Sequence, residues 1–398
     1  MSPIIKYIFL YFAILVSTRF FQFIPLYGSG FLQNCQNLLI LFLFIVLAVF
    51  GKSQKRIIFK KEILALTIIP FLSAIPCYLY RHQSIGETFL ATKYILYWLF
   101  YFVLIKCAYD SQIVLKVMKN LAVIVALIFI FQQILYPSFY LFDDAGNTME
   151  LEQRNGLYRF RLFWIIPYVY IAFYYFLEKY IKTKDTRNFL FTAFLIIPIY
   201  LILTRQIWFC ILLPVFFYPL INGGRISAKK FFQFAICFIL LYLVYLNIDV
   251  IVGKQLMERT QDENSSDNVR VLAMEFYGLE YWENWFNVLL GNGCPYGNLN
   301  EYGHYISNME KDYGLYRSDI GIVGVFSLYG LAYIAALIAL YVKTFKNFKY
   351  ISTYLRLLVI ASILNLPLAC WTDFPIFMSI IYFLIDRDIN KNKLLKIR

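Results

Sequence analysis

The chain has 398 residues, 61% of them hydrophobic, 20% aromatic and only 15% charged. Long apolar stretches recur from one end to the other, which excludes a water-soluble globular domain and marks a polytopic, all-α membrane protein. The formal net charge of +13 would suit nucleic acid, but its distribution along the loops excludes that partner.

A membrane span needs about 20 residues at ~1.5 Å each. Near the N-terminus Lys6 is followed by a long apolar run without a convincing small-residue cleavage site, so the first span is expected to be retained. Between Arg187 and Arg225 lies an almost unbroken apolar stretch, roughly 57 Å as one helix and far too long for one crossing. The chain must turn back, and the natural place is Thr204-Arg205-Gln206 in LILTRQIWFC. Arg205 is then a hairpin-tip residue rather than a charge at the bilayer centre, where it would cost about 2.5–3.5 kcal/mol.

With that turn, about twelve spans are expected near 5–25, 32–50, 62–80, 88–107, 117–136, 161–178, 189–203, 207–221, 231–250, 318–342, 351–370 and 374–386. The chain divides into 1–250 (spans one to nine), 251–317 (a large outer loop) and 318–398 (spans ten to twelve and a basic tail). An even count puts both termini on one side. The side that carries the loops GKSQKRIIFKK, KYIKTKD, NGGRISAKK and KTFKNFK and the tail holds 25 of the 37 Lys/Arg and 6 of the 24 Asp/Glu in all, a net +19 that identifies it as cytoplasmic. The rest of the chain is net −6. The expected location is the bacterial cytoplasmic (inner) membrane, multi-pass, with both termini cytoplasmic.

Two expected outer loops are long. The first, about 137–160, carries Arg154 and Arg159, with Arg161 just after it. A basic cluster on that side runs against the positive-inside trend; it is either neutralised by Glu150 and Glu152 or made to bind lipid phosphate. The second contains VRVLAMEFYGLEYWENWFNVLLGNG, an amphipathic helical pattern ending at glycines. Ser266, Asp267 or Asn268 would cap that helix and place Arg270 in its first turn, where the dipole favours an anion. Gly291-Asn292-Gly293 is expected to be a tight turn, since no Lys-Ser/Thr follows it as a phosphate loop requires. Asp319 opens the tenth span, as a helix N-cap or as a carboxylate that takes a proton from an incoming hydroxyl. His304 is a second candidate base. Two histidines and seven scattered cysteines suit neither a zinc site nor a disulfide framework. Asp143-Asp144 is the one adjacent acidic pair on the outer side, and no metal is assigned to it.

Taken together, a Thr-Arg step at the tip of two short spans, a long outer loop with an arginine, a tryptophan-bearing helix and a G-N-G turn, and then the Gly-rich SDIGIVGVFSLYG resemble the O-antigen polymerase and ligase superfamily. The resemblance covers roughly Arg187 to Gly330. It implies transfer of a glycan from an undecaprenyl-diphosphate donor to an acceptor hydroxyl on the outer membrane face, without metal or cofactor. Arg205 and Arg270 match the family's two outer arginines that contact the diphosphate. Arg154, Arg159, Arg161 and Arg317 are further substrate-binding candidates, and Tyr281 and Trp282 could stack on sugar faces. The ligases carry a histidine where this chain has Ser318-Asp319, which favours a polymerase. Expected partners are the lipid-linked oligosaccharide, membrane lipid, and the chain-length regulator and flippase of the same pathway. The rival readings are a ligase that hands the glycan to a lipid or protein, and a lipid-linked-oligosaccharide flippase. A flippase should carry broken helices near the membrane midplane.

Overall fold

A computed structural model describes residues 3–18, 30–49, 57–138, 153–154, 156–160, 165–218, 268–367, 369–371 and 374–397, with backbone alone at 3, 153–154, 205–206 and 395–397. The span expected over 231–250, Arg161 and the Asp143-Asp144 pair lie outside the described residues. The described chain is mostly helical. Five of its helical segments are long and apolar enough to cross a membrane: Phe31–Val49, Lys60–Arg81, Ile85–Lys106, Ser111–Leu135 and Arg317–Lys346. The protein is membrane-embedded. Helix Phe31–Val49 turns Leu38, Leu41, Phe44 and Ile45 outward, as lipid requires and water would not tolerate.

Shorter apolar helices complete the bundle: Pro3–Ser17, Pro167–Thr183, Thr186–Leu201, Arg205–Phe216 and Thr353–Asn365. The last helix, Pro375–Ile397, runs well past the expected end of its span at 386, so the basic tail is helical. One continuous core of aliphatic and aromatic side chains joins these elements, with Trp98, Tyr101, Tyr168, Tyr333 and Tyr382 among its largest buried members.

The segments expected on the cytoplasmic side meet at one end of the bundle, the basic end. Lys343 pairs with Glu62 at 2.8 Å. Tyr101 Oη and Ile58 N both donate to Asp386 Oδ2, at 2.6 and 2.8 Å. Ser352 N donates to Asp388 and Tyr354 N to Glu178, each at 2.9 Å. Helices Lys60–Leu72 and Ser111–Leu135 both start at this level. Leu135, 25 residues along and therefore about 37 Å away, marks the opposite end.

The hairpin required by the Arg187–Arg225 stretch is present. Helix Thr186–Leu201 ends, Leu203 takes a left-handed φ of 50°, and helix Arg205–Phe216 begins. The turn is thus Ile202–Thr204, one or two residues before the expected tip, and Arg205 is the first residue of the returning helix. Trp208 fastens the two arms: its indole Nε1 donates to the Ile199 carbonyl at 2.7 Å and its ring stacks on Tyr200.

Three helical segments are interrupted where hydropathy predicts continuous spans. Lys60–Leu72 gives way to Ala74–Arg81 at Ser73, between Pro70 and Pro76. Ile85–Thr92 tightens into a 3-10 stretch, Lys93–Leu99, before resuming as Phe100–Lys106. Helix Gly321–Lys346 kinks at Gly330, whose φ is 70°. Sharp kinks arise from proline, glycine or groups inserted into the hydrogen-bond ladder; at Gly330 the inserted group is the long loop.

Candidate functional site

The second long loop is described from Asn268 onward. The single amphipathic helix expected there is two helices and a link. Asn268 caps the first, Val269–Glu275, by accepting from Arg270 N at 2.8 Å. A π-helical turn, Phe276–Glu280, follows, with Gly278 at its centre. Asn284 then starts a new helix, Trp285–Leu290, its Oδ1 accepting from Phe286 N and Asn287 N. A third helix, Glu301–Asp312, goes beyond the sequence expectation; Asn300 caps it. The spacing of Tyr302, Ile306 and Met309, at i, i+4 and i+7, is the signal that could have found it. Ala273, Tyr277, Tyr281, Tyr302, Ile306, Leu315 and Ile320 form a small core that also includes Cys77 of the membrane bundle. The loop is therefore a folded unit built onto the bundle.

Gly291-Asn292-Gly293 is a turn, as expected, and also a plug. Kinking at Gly330 frees carbonyls one turn earlier, and in an apolar interior each must find a donor. Asn292 N donates to Ser327 O at 3.1 Å and Gly293 N to Leu328 O at 2.9 Å. The two backbones touch so closely that a Cβ on Gly291 would lie 2.1 Å from Leu328 O, and one on Gly330 2.4 Å from Gly291 N. Both positions need glycine for space and for their positive φ.

Arg81, at the end of helix Ala74–Arg81, holds the plug in place. Its Nε donates to Asn292 Oδ1 at 3.0 Å and its Nη2 to the Tyr281 carbonyl. Nη1 pairs with Glu283 at 3.0 Å, and the guanidinium lies 4.4 Å above the Tyr281 ring. Asn287, fully buried, donates to the same Asn292 Oδ1 at 2.9 Å. Sequence reasoning missed Arg81, because one arginine closing an apolar run reads as an ordinary interfacial charge.

Arg317 differs. Its side chain is 14% exposed and stands 3.6 Å from Glu310 Oε1 and 5.8 Å over the Tyr277 ring. Among the described residues no hydrogen bond reaches its Nε or Nη1. Burial pushes the Tyr277 phenol up to about 12 although the Arg317 cation opposes the shift, and burial raises Tyr281 and Tyr302 further. These hydroxyls are therefore neutral at physiological pH and offer Arg317 no counter-charge. Glu310 is its one carboxylate partner within ion-pair range among the described residues, and its guanidinium keeps unused donors.

Helix Val269–Glu275 packs on the 3-10 turn Arg317–Ile320, so the elements carrying Arg270, Arg317 and Asp319 touch. Arg270 and Asp319 are exposed. Asp319 does not cap the following helix, whose N-cap is Ile320 without a side-chain bond; its Oδ1 accepts from Ser318 Oγ at 3.4 Å. His304 is exposed on helix Glu301–Asp312. Tyr281 is packed in the interior at 3% exposure, with Arg81 on its ring and its hydroxyl donating to Tyr302 Oη at 2.6 Å, so the stacking role expected for it is taken by protein. Trp282 leans on Phe326, its indole donating to Gly278 O at 2.9 Å.

A second group of candidates gathers at the hairpin. Strands Gln153–Arg154 and Leu157–Tyr158 pair antiparallel around Gly156. Gln133, near the end of helix Ser111–Leu135, bonds both the amide and the carbonyl of Tyr158. The next residue, Arg159, donates through Nη2 to Thr204 Oγ1 at 3.4 Å. Thr204 immediately precedes Arg205, so Arg159 of the first long loop and the hairpin tip are neighbours. Arg154 is in the ribbon; its side chain and that of Arg205 lie outside the described parts of the chain. Contacts join the members of the hairpin group to one another, and likewise those of the loop unit. Among the described residues no cluster of three or more His, Cys, Asp or Glu is arranged to hold a metal ion.

No protein-family model matches this chain, and a search of curated proteins finds no match.

Proposed function

We propose that this chain is a polysaccharide polymerase of the bacterial cytoplasmic membrane. It would transfer a glycan from an undecaprenyl-diphosphate donor to the hydroxyl of a second lipid-linked repeat unit on the outer face. In this reading there are twelve spans, 251–317 is outside and both termini are inside. The observation that carries the reading is the packing of helix Val269–Glu275 on turn Arg317–Ile320. It puts two arginines and a carboxylate, Arg270, Arg317 and Asp319, on touching elements of one folded unit.

The chemistry follows from those groups. The bond from the donor sugar's anomeric carbon to the phosphate oxygen breaks, and a bond to the acceptor oxygen forms. Negative charge grows on the departing diphosphate, and fixed guanidinium groups stabilise it more than they stabilise the bound donor. Arg205 and Arg270 clasp the phosphates, with Arg159 and Arg317 adding positive potential from either group. Asp319 takes the proton from the acceptor hydroxyl, a contribution of about 10²–10⁴-fold. Replacing Arg205 or Arg270 by alanine should abolish long polysaccharide while the protein stays at normal levels in the membrane. Normal chain length from either variant would remove the assignment.

One observation favours a second reading. The helix interruptions at Ser73, Lys93–Leu99 and Gly330 are the kind of discontinuity that transporters of lipid-linked sugars use. Purified protein reconstituted with lipid-linked repeat units separates the two: several units accumulating on one lipid mean polymerisation, and protected single units mean transport.

A further inference from the structure

The basic end of the bundle, opposite the loop unit, contains a cavity of about 1070 Å³, just above the ligand-cavity range of about 300–1,000 Å³. Four parts of the chain build it: the residues leading into helix Lys60–Leu72, the turn before Ser111, the last turns of helix Gly321–Lys346, and the end of helix Pro375–Ile397. Six cations line it: Lys60, Lys61, Lys343, Arg387, Lys391 and Lys393. Asp110 is the one carboxylate among the described lining residues. Lys343 is already paired with Glu62, which leaves five lining cations against Asp110, and Asp386 is turned toward Tyr101 and the Ile58 amide. Arg387 is held by its Nη2 bond to the Tyr109 carbonyl at 3.3 Å, and among the described residues no hydrogen bond reaches its buried Nε.

Cations crowded around one space repel one another, and an anion with several oxygens relieves that repulsion while accepting their N–H donors. The wall also carries Ile57, Ile58 and Leu394, so polar and apolar surfaces adjoin. Apolar helices leave the hydrocarbon zone at this level, which is where phospholipid headgroups lie. A loop charge that served topology alone would need no shared cavity.

We infer that this cavity binds the phosphate of an anionic phospholipid headgroup from the adjoining leaflet. A soluble phosphate ester presents the same oxygens without acyl chains, and the experiment separates the two sources. The site shares no residue with the proposed glycan chemistry, and its test is a binding measurement independent of polymer formation.

Full-length protein in neutral detergent is titrated with phosphatidylglycerol or phosphatidylcholine and bound lipid is counted by native mass spectrometry, with glycerol 3-phosphate as soluble competitor. The paired variant Lys61→Gln/Lys391→Gln removes two exposed cavity lysines. The control Lys346→Gln/Lys349→Gln removes the same charge at the same end, outside the cavity. Each lysine near an anionic headgroup is worth about fivefold, so the cavity variant should bind phosphatidylglycerol about 25-fold more weakly and the control almost normally. Phosphatidylcholine should bind weakly to all three proteins, with melting temperatures unchanged. Displacement by millimolar glycerol 3-phosphate, without preference for the acylated form, would keep the phosphate site and assign it to a soluble ligand, overturning the lipid. Equal loss in both variants, or in neither, would overturn the site.

Discussion

Replacing Gly330 with alanine asks whether the loop unit and the kinked helix are one structure. The added Cβ would stand 2.4 Å from both Gly291 N and Leu289 O, where an ordinary contact is about 3.5 Å. Both partners are backbone, so the chains must separate by about 1 Å. That movement takes the bonds from Asn292 N to Ser327 O and from Gly293 N to Leu328 O, now 3.1 and 2.9 Å, beyond useful hydrogen-bonding distance. A buried polar group left without its partner costs about 1–3 kcal/mol. Holding an L-residue at φ 70° and ψ −176°, a region essentially confined to glycine, adds about 1–3 kcal/mol. The expected loss is about 4 kcal/mol or more. Gly297→Ala is the matched control: its φ is 56° but nothing lies within 4 Å of the new Cβ, leaving a backbone term of about 1–2 kcal/mol. The assay is the apparent melting temperature of detergent-extracted, fluorescently tagged protein, followed by size-exclusion chromatography after heating. Gly330→Ala should melt several degrees below Gly297→Ala. Equal melting would show that the loop can leave the kink freely, and the plug account would be wrong.

Arg81→Lys keeps the charge but loses the fork that reaches Asn292 and Tyr281 together; leaving those buried acceptors unmet should cost about 2–4 kcal/mol and speed proteolysis within 268–316. Glu283→Gln should change stability by less than about 1 kcal/mol in the same assays, because Glu283 is 43% exposed and exposed ion pairs are weak. Trp208→Phe removes the bond to Ile199 O and should destabilise by about 1 kcal/mol, visible as faster amide exchange across 199–208. Asp319→Asn should slow polymer formation by about 10²-fold or more in reconstituted membranes without lowering the melting temperature, because the carboxylate is exposed; unchanged polymer formation would transfer the base role elsewhere.

The membrane character, the hairpin before Arg205 and the cap at Asn268 were legible because each depends on local sequence. Hydropathy alone forces the chain to turn between Arg187 and Arg225, and an asparagine ahead of an amphipathic run is a capping signal wherever it occurs. The interruptions at Ser73, Lys93–Leu99 and Gly330 were not legible, because apolar content continues unchanged through them. Pro70 and Pro76 hinted at the first; a lone glycine in a Gly-rich helix hinted weakly at the third. What makes Gly330 a kink is a turn 38 residues earlier in the chain, and no local pattern encodes that meeting. The same distance hid Arg81, whose partners Tyr281, Glu283 and Asn292 are some 200 positions away. Arg270, Arg317 and Asp319 were singled out one by one; that their elements touch emerges only from the fold.

The hairpin also has a consequence for the lipid around it. Helix Thr186–Leu201 has 16 residues, about 24 Å, against a hydrocarbon thickness of about 30 Å. A bilayer meets a short element by drawing its two surfaces together, so a dimple of several ångströms should ring this part of the protein. Beside Thr204 and Arg159 the membrane surface would then dip toward the hairpin tip. A headgroup drifting past would be carried down to the arginines by the shape of its own membrane, with its tail still among its neighbours.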